Sequence, residues 1–312
     1  MSQQCEVRAR FYRPPGRLAR YFTTFYLTEI TVPGGGRVTD LLHPEWANLR
    51  FHTGSLPSAT SLGGQSVANA GFIATGPSSR ALEFELGSGR AWGVGLLPLG
   101  FARFVGAEAA DLADAVCDGR EPGPFAVFNA LAGQIFGPEP DEAAELARIT
   151  AWFAEFPTPR TGQEEQIEAA HSALVDPDVA SVADFAARSG LGVRTLERVC
   201  RRSFGFTPKL LLRRQRFMRS LSQYMLDPSL KWIGAMDGHY HDQAQFVREF
   251  RQFMGTSPSA YARQPHPVLV PVMHERQRYV GSAVQTLIPP GGRDLPMAAL
   301  RGGLAEGFAL AD

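Results

Sequence analysis

The feature that most constrains the fold is an internal repeat in the second half of the chain. The segments LERVCRRSFGFTP at 196–208 and FVREFRQFMGTSP at 246–258 agree at matched positions with an offset of 50. The shared positions include two arginines, a glycine and a final proline. Because self-similarity at a fixed spacing marks one supersecondary unit used twice, the repeat predicts two copies of one small helical motif.

Each copy has the pattern of two short helices joined by a tight turn. In the first copy, Ser181 followed by Asp184 is an N-cap signature, and Gly190 allows the left-handed conformation that a tight turn needs. Residues 194–204 then form the second helix. This order of elements predicts a helix-turn-helix unit.

The second helix of each unit has one apolar side and one cationic side. At 100° per residue, Leu196, Val199, Cys200 and Phe204 share a side in the first unit, as do Phe246, Phe250 and Phe253 in the second. The opposite side of these helices carries Arg194, Arg198 and Arg201 in the first unit and Ala244, Arg248 and Arg251 in the second, with Gln243 and Gln245 near the helix start.

The exposed side chains have the chemistry of DNA readers. An α-helix fits the major groove, where arginine pairs with guanine and glutamine with adenine. Thr207, Ser257 and Arg251 lie at or near the following helix starts, where hydroxyl, guanidinium and backbone N–H groups can hold phosphates. Residues 207–227 lack an internal helix breaker and predict a rigid spacer of roughly 30 Å. This length is close to the ~34 Å between successive major grooves.

The charge distribution supports a polyanion-binding module. Residues 180–263 carry 14 Lys and Arg against six Asp and Glu, although the whole chain has 31 of each. A split of this kind indicates a nucleic-acid-binding segment joined to a different domain. The start of the chain lacks the apolar run of a signal peptide, no apolar run is long enough to span a membrane, and the three cysteines have no metal-like spacing. We therefore expect a cytoplasmic protein with reduced thiols and no membrane association.

The composition predicts an α+β chain with an N-terminal β-rich, sandwich-like or barrel-like domain and an all-α C-terminal domain. Residues 20–99 read mainly as strands, and helical patterns follow at roughly 100–117, 124–136 and 141–156. We expect an N-terminal sensory or dimerisation domain at 1–156 and a linker at 157–163. The DNA-binding domain then occupies 164–263, and a tail without a clear period occupies 264–312.

Residues 165–263 resemble the C-terminal DNA-binding domain of the AraC family of bacterial transcription regulators. The segment YHDQAQFVREFRQFMGTSPSAY matches the second motif of that family over its whole length. By this resemblance, the base-facing positions are Arg194, Glu197 and Arg198 in the first unit and Gln243, Ala244 and Arg248 in the second. Gly192 replaces the usual capping Ser, and His239 replaces the usual turn Gly. These departures predict a slightly frayed first recognition helix.

The N-terminal half resembles, more loosely, the first domain of one branch of these regulators, through HPEWANLRF and LPLGFARF. The resemblance implies double-stranded DNA as the main partner, with a small-molecule effector, RNA polymerase and a second copy of the chain as further partners. Pairing of two copies would occur through the N-terminal domain.

Other candidate sites have simpler interpretations. Glu83 and Glu85 share a strand face that we expect to be solvated, His239 and His241 suit a turn and cap better than a metal site, and Trp46 and Trp92 suit an aromatic core. We therefore expect no catalytic residues, cofactor or metal. The alternative hypothesis is a cytoplasmic ligand-binding protein or enzyme whose basic helical domain scaffolds a partner.

Overall fold

The N-terminal half is built on two antiparallel sheets. The computed structural model describes residues 5–156 and 162–292. Its strands are β1 (Glu6–Tyr12), β2 (Phe22–Thr31), β3 (Val38–Leu42), β4 (Asn48–Gly54), β5 (Ser58–Ser61), β6 (Ser66–Ala68), β7 (Phe72–Thr75), β8 (Leu82–Leu86), β9 (Gly89–Leu96) and β10 (Val116–Asp118). One sheet has the order β1-β2-β9-β4-β7-β10 and the other the order β3-β8-β5-β6. The predicted β-rich first domain is confirmed.

Strand β2 is buried along most of its length because both of its faces are covered. Its sequence FTTFYLTEIT is aromatic and β-branched, as a doubly covered strand requires. Three helices accompany the sheets: α1 (Pro98–Phe104), α2 (Asn129–Ala132) and α3 (Glu142–Glu155). On one face of β2, Phe22 stacks on Phe104 of α1 and lies edge-on to Phe153 of α3, with ring centroids 5.3 Å and 4.7 Å apart. The helices therefore close the outer side of the six-stranded sheet.

Two of the helices predicted in this half are shorter in the structure. The helix predicted at 100–117 ends at Phe104, because Gly106 takes a left-handed φ of 69°, and Val116–Asp118 pairs as a strand with β7. The segment predicted at 124–136 contains one 3-10 turn and the four-residue α2. The helix predicted at 141–156 is confirmed as α3, which Asp141 caps by accepting from the Ala144 N–H at 3.0 Å.

The C-terminal half is helical, as predicted. Its helices are α4 (Glu164–Val175), α5 (Val182–Ser189), α6 (Val193–Val199), α7 (Pro208–Leu226), α8 (Lys231–Ala235), α9 (Gln243–Met254), α10 (Pro258–Tyr261) and α11 (Leu269–Val280). Helix α7 runs between two separate cores. One contains Phe185 and Leu196 of the first unit, and the other contains Phe217, Phe246 and Phe250 around the second unit.

The two halves share cores and hydrogen bonds. Trp46 of the N-terminal half packs in the core of the first unit, and the Ala81 N–H donates to the Phe253 carbonyl at 2.7 Å. Arg214 of α7 is fully buried, stacks over Trp46 at 4.1 Å and donates to the Ser78 carbonyl at 2.9 Å. These contacts fix the helical half against the sheets. Most of the predicted linker, residues 157–161, lies outside the described residues.

The segment after the second unit returns to the N-terminal sheets. Helix α11 packs along β1, although the sequence showed no clear period there. Asp40 of β3 is buried and accepts from the backbone N–H groups of Val268 and Leu269 at 3.0 Å and 2.9 Å, so that it caps the start of α11 from the opposite end of the chain. The remainder of the tail, residues 293–312, lies outside the described residues.

Candidate nucleic-acid interface

The first helix-turn-helix unit consists of α5, a glycine turn and α6. Ser181 and Asp184 form a reciprocal capping box at the start of α5, and the helix ends at Gly190 with a φ of 67°. Gly192, at the start of α6, provides no side-chain cap. The structure therefore confirms the predicted cap and turn, and it shows that the first recognition helix begins without a cap.

Helix α6 buries its apolar side and exposes its polar side. Leu196, Val199, Cys200 and Phe204 are fully buried. The four polar side chains predicted to face a base are all exposed: Arg194, Glu197, Arg198 and Arg201. The last turn, Cys200–Phe204, is a π-helix, which places the backbone of Arg201 in a wider turn than that of Arg194 and Arg198.

The turn of the second unit is held by a half-buried aspartate. The Asp237 carboxylate accepts from the His239 N–H at 2.9 Å and pairs with Arg219 at 2.5 Å. His239 replaces a turn glycine without taking a positive φ. His241 is exposed, and its N–H donates to Gln245. Both histidines therefore belong to a turn and a cap. Within residues 5–156 and 162–292, no group of three or more His, Cys, Asp or Glu is placed to hold a metal ion.

Helix α9 repeats the two-sided pattern of α6. Phe246, Phe250 and Phe253 are buried. The exposed side chains are Gln243, Ala244, Arg248 and Arg251. Gln245 is half-buried: its Oε1 accepts from the His241 N–H at 3.0 Å, while its own N–H donates to Asp242 at 2.6 Å. The side-chain oxygen of Gln245 is thus already hydrogen-bonded at the start of α9.

Thr207 and Ser257 occupy the helix starts that the sequence predicted for phosphate contacts. The Thr207 hydroxyl accepts from the Leu210 N–H at 3.3 Å, and the Ser257 hydroxyl accepts from the Ala260 N–H at 3.1 Å. Both side chains therefore act as N-caps, and both are half-buried. Arg251 lies one helical turn before the end of α9 and is exposed.

The structure also brings together cationic residues that the sequence analysis treated only as part of a spacer. Lys209, Arg213, Arg216 and Arg219 of α7 line a cleft of about 620 Å³ that also includes Arg248 of α9. Their spacing of three or four residues was visible in the sequence as a helical face. The sequence prediction for α7 concerns its length as a spacer and not this cationic face.

A second cavity lies between the two sheets and the segment that follows the second unit. It has a volume of about 130 Å³ and is lined by residues of both sheets and of the segment after α10, including Tyr26, His43, Arg50, Met273, Arg276 and Gln285. Arg276 and Gln285 are buried. The Nε atom of Arg276 and both amide atoms of Gln285 lack a hydrogen-bond partner among the described residues.

The remaining candidates have structural roles. Trp46 and Trp92 are fully buried in cores, and the Trp92 Nε1 donates to Glu145 at 2.6 Å. Glu83 is exposed and Glu85 pairs with Arg37, which fits the solvated strand face. No helix in the described part of the chain combines the length and the apolar character needed to cross a bilayer.

Residues 185–264 match a protein-family model described as "Helix-turn-helix domain". No curated protein matches the chain. Solved structures of ToxT from Vibrio cholerae are similar at low identity. The apo K231A form is 13% identical with a TM-score of 0.39, covering 84% of this chain and 97% of that one. ToxT bound to (E)-4-(8-methylnaphthalen-1-yl)but-3-enoic acid is 14% identical with a TM-score of 0.40, covering 84% and 98%.

The family match and the geometry agree on the same residues. The matched range begins within α5 and ends after α10, so that it contains both recognition helices and the helix between them. Two units with exposed arginines on the second helix are the arrangement that the sequence resemblance implied. Residues 185–264 are therefore similar to a known helix-turn-helix domain, as the resemblance to the AraC-type DNA-binding domain implied.

Proposed function

We propose that the protein reads two adjacent major-groove segments on one face of duplex DNA, one with α6 and one with α9. The observation that supports this most strongly is the repeated division of each recognition helix into a buried apolar side and an exposed polar side. A polar helix face that only contacts solvent does not require a second copy of the helix at a fixed spacing, whereas a protein that reads two grooves requires two such helices.

The connecting helix has a suitable length for this task. Helix α7 has 19 residues, which corresponds to about 28 Å of helix. The centres of successive major grooves on one face of DNA are ~34 Å apart. Because α7 joins the two units without a break, it can hold their recognition helices in a fixed relation.

The exposure of most of these side chains supports the proposed reading roles. We propose Arg194, Glu197, Arg198 and Arg201 as the groove-facing set of α6, and Gln243, Ala244, Gln245 and Arg248 as that of α9, with Thr207, Ser257 and Arg251 near phosphates. Arg198 and Arg248 occupy the same repeat position, and both are exposed. Each bidentate arginine contact with guanine contributes about 1–3 kcal/mol of discrimination.

The test is to select bound genomic fragments with the full chain and then measure affinity for a selected and a scrambled duplex. We expect Arg198→Ala and Arg248→Ala each to reduce the ratio of the two affinities by roughly 5- to 150-fold. Arg278→Ala is the matched control, because Arg278 pairs with Glu275 on α11. Equal affinity of the wild-type chain for both duplexes would favour the alternative, in which the basic domain scaffolds a protein partner.

We further propose that the cavity between the sheets binds a small-molecule effector. Its lining is mainly apolar, and the unpartnered groups of Arg276 and Gln285 can hold a polar group of the ligand. Effector binding would favour one orientation of the helical half, since helix α11 contributes to the cavity wall directly after the second unit. Thermal-shift screening of the full chain tests this, with Gln285→Leu abolishing the shift and Gln277→Leu, outside the cavity, preserving it.

The proposed setting is the bacterial cytoplasm, where the chain would pair through its N-terminal domain and contact RNA polymerase. Sedimentation velocity at several concentrations measures the pairing. Transcription in a purified system, with and without the selected site, measures the effect on the polymerase. We propose no enzymatic activity and no cofactor.

A further inference from the structure

The cleft along α7 lies beside the reading face of the second unit. Its walls come from residues 179–182 at the start of α5, from α7 and from α9. Arg248, which belongs to the proposed groove-facing set of α9, also lines this cleft. A duplex that engages Arg248 therefore has its backbone next to the mouth of the cleft.

The cations of α7 form a row on one side of the helix. At 100° per residue, Lys209, Arg213 and Arg216 fall within about 60° of one another and span about 10 Å along the axis. Among the described residues that line the cleft, these three, Arg219 and Arg248 are cationic, and Glu249 is the one carboxylate. Asp237, outside the lining, pairs with Arg219, so five cations face two carboxylates and the cleft keeps an excess of positive charge.

The Glu249 carboxylate pairs with two of these guanidinium groups. It is buried, and its Oε1 accepts from Arg213 Nε at 2.8 Å and from Arg216 Nη2 at 2.6 Å. One carboxylate thus serves two cations and leaves a net positive charge. Other contacts fix the same groups, since Arg213 donates to Gln252 at 2.6 Å and Arg216 stacks over Tyr240 at 4.4 Å. The two arginines are therefore held in place before any anion binds.

We propose that this cleft binds the phosphodiester backbone of DNA between the two segments read by α6 and α9. The inference rests on the proposed function, because the minor groove between two successive major grooves presents its phosphates to the helix that joins the readers. Duplex DNA carries one negative charge per ~1.7 Å of axis, so a cationic row about 10 Å long faces several phosphates. Arg213 and Arg216 would position the duplex without reading its sequence.

The salt dependence of binding is the direct test. Each neutralised phosphate contributes about 0.9 to the slope of log K against log salt concentration. We expect Arg213→Gln and Arg216→Gln each to reduce the slope by about 1, for the selected and the scrambled duplex alike. The ratio of the two affinities should stay at its wild-type value. Arg213→Lys should keep the slope, because it keeps the charge.

Further experiments distinguish direct contact between the cleft arginines and phosphates from a general effect of net charge and from misfolding of the variants. A duplex with neutral methylphosphonate linkages between the two read segments should weaken wild-type binding but leave the Arg213→Gln/Arg216→Gln double variant unaffected. Arg278→Gln, which removes the same charge from α11, should leave the slope unchanged. Thermal unfolding of each variant shows whether the fold is intact, and Arg213→Lys provides a folded comparison if the Gln variants lose stability.

Two results would overturn the inference while the proposed function stands. One is that the double variant shows the same slope of log K against log salt concentration as the wild-type chain, while Arg248→Ala discriminates less between the selected and the scrambled duplex. The other is binding of inorganic triphosphate that the double variant abolishes without a change in the DNA slope. If the wild-type chain binds DNA without salt dependence, the proposed function itself fails.

Discussion

Replacing Phe250 by Ala should destabilise the protein far more than replacing Cys200, its counterpart 50 residues earlier. Both side chains are fully buried on the inner side of a recognition helix. Phe250 contacts Phe217 and Trp232, with ring centroids 5.4 Å and 4.9 Å apart. Truncation of a buried Phe costs about 3–5 kcal/mol, and these edge-to-face contacts place this site near about 4 kcal/mol. Cys200→Ala removes a single sulfur atom and should cost about 1 kcal/mol.

The expected difference of about 3 kcal/mol corresponds to a difference in Tm of about 5 °C for a chain of this length. Thermal unfolding followed by circular dichroism measures both shifts against the wild-type protein at one scan rate. DNA binding by folded Phe250→Ala protein should also lose the contribution of α9, because the helix loses its packing on α7. If the two variants shift Tm equally, the second core does not depend on the aromatic contacts described above.

Three further changes test separate parts of the structure. Gly205 has a φ of 85°, and a Cβ there would lie 2.7 Å from Pro77 Cγ. Gly205→Ala should therefore lower Tm more than Gly190→Ala, because a Cβ at Gly190 meets no neighbour and costs about 1–2 kcal/mol for the left-handed backbone alone. Equal Tm shifts of the two variants in calorimetry would contradict the contact with Pro77. Burial lowers the pKa of His171 to about 3, so His171 is neutral when folded and takes up a proton on unfolding below about pH 6.5. The unfolded state then binds more protons, and His171 should lower the free energy of unfolding by up to about 1.4 kcal/mol per unit as pH drops toward 3. His43 and His52 have pKa values lowered to about 3 by burial in the same way, so His171→Gln should reduce the slope measured in urea titrations by the contribution of one histidine. Asp40→Ala removes the cap of α11 and should speed limited proteolysis within residues 264–292, whereas an unchanged cleavage rate would show that the cap is dispensable.

The sequence predicted best those elements whose pattern reflects local burial. The spacing of Leu196 and Phe204, and of Phe246 and Phe250, follows directly from one buried helix side, so both recognition helices were predictable. The 19 residues of α7 have no internal breaker, so its length was predictable as well.

The sequence did not predict the elements that depend on contacts between residues far apart in the chain. The strand Val116–Asp118 has three residues and exists because β7 pairs with it. The tail showed no clear period, yet it contains α11, in which Pro271 is the third residue, where its missing N–H would have no partner within the helix. Asp40 caps that helix from more than 220 residues away. The cationic cleft likewise depends on how α9 packs against α7, which no local pattern reveals.

The position of the cavity in the chain has a consequence for synthesis on the ribosome. The cavity lies between sheets that end by residue 118, but Arg276, Val284 and Gln285 form part of its wall. A nascent chain therefore cannot complete this cavity until both helix-turn-helix units have been translated. A chain that ends after residue 263 would therefore contain both helix-turn-helix units but lack part of the cavity wall, and an effector that binds in this cavity could act only on the longer chain.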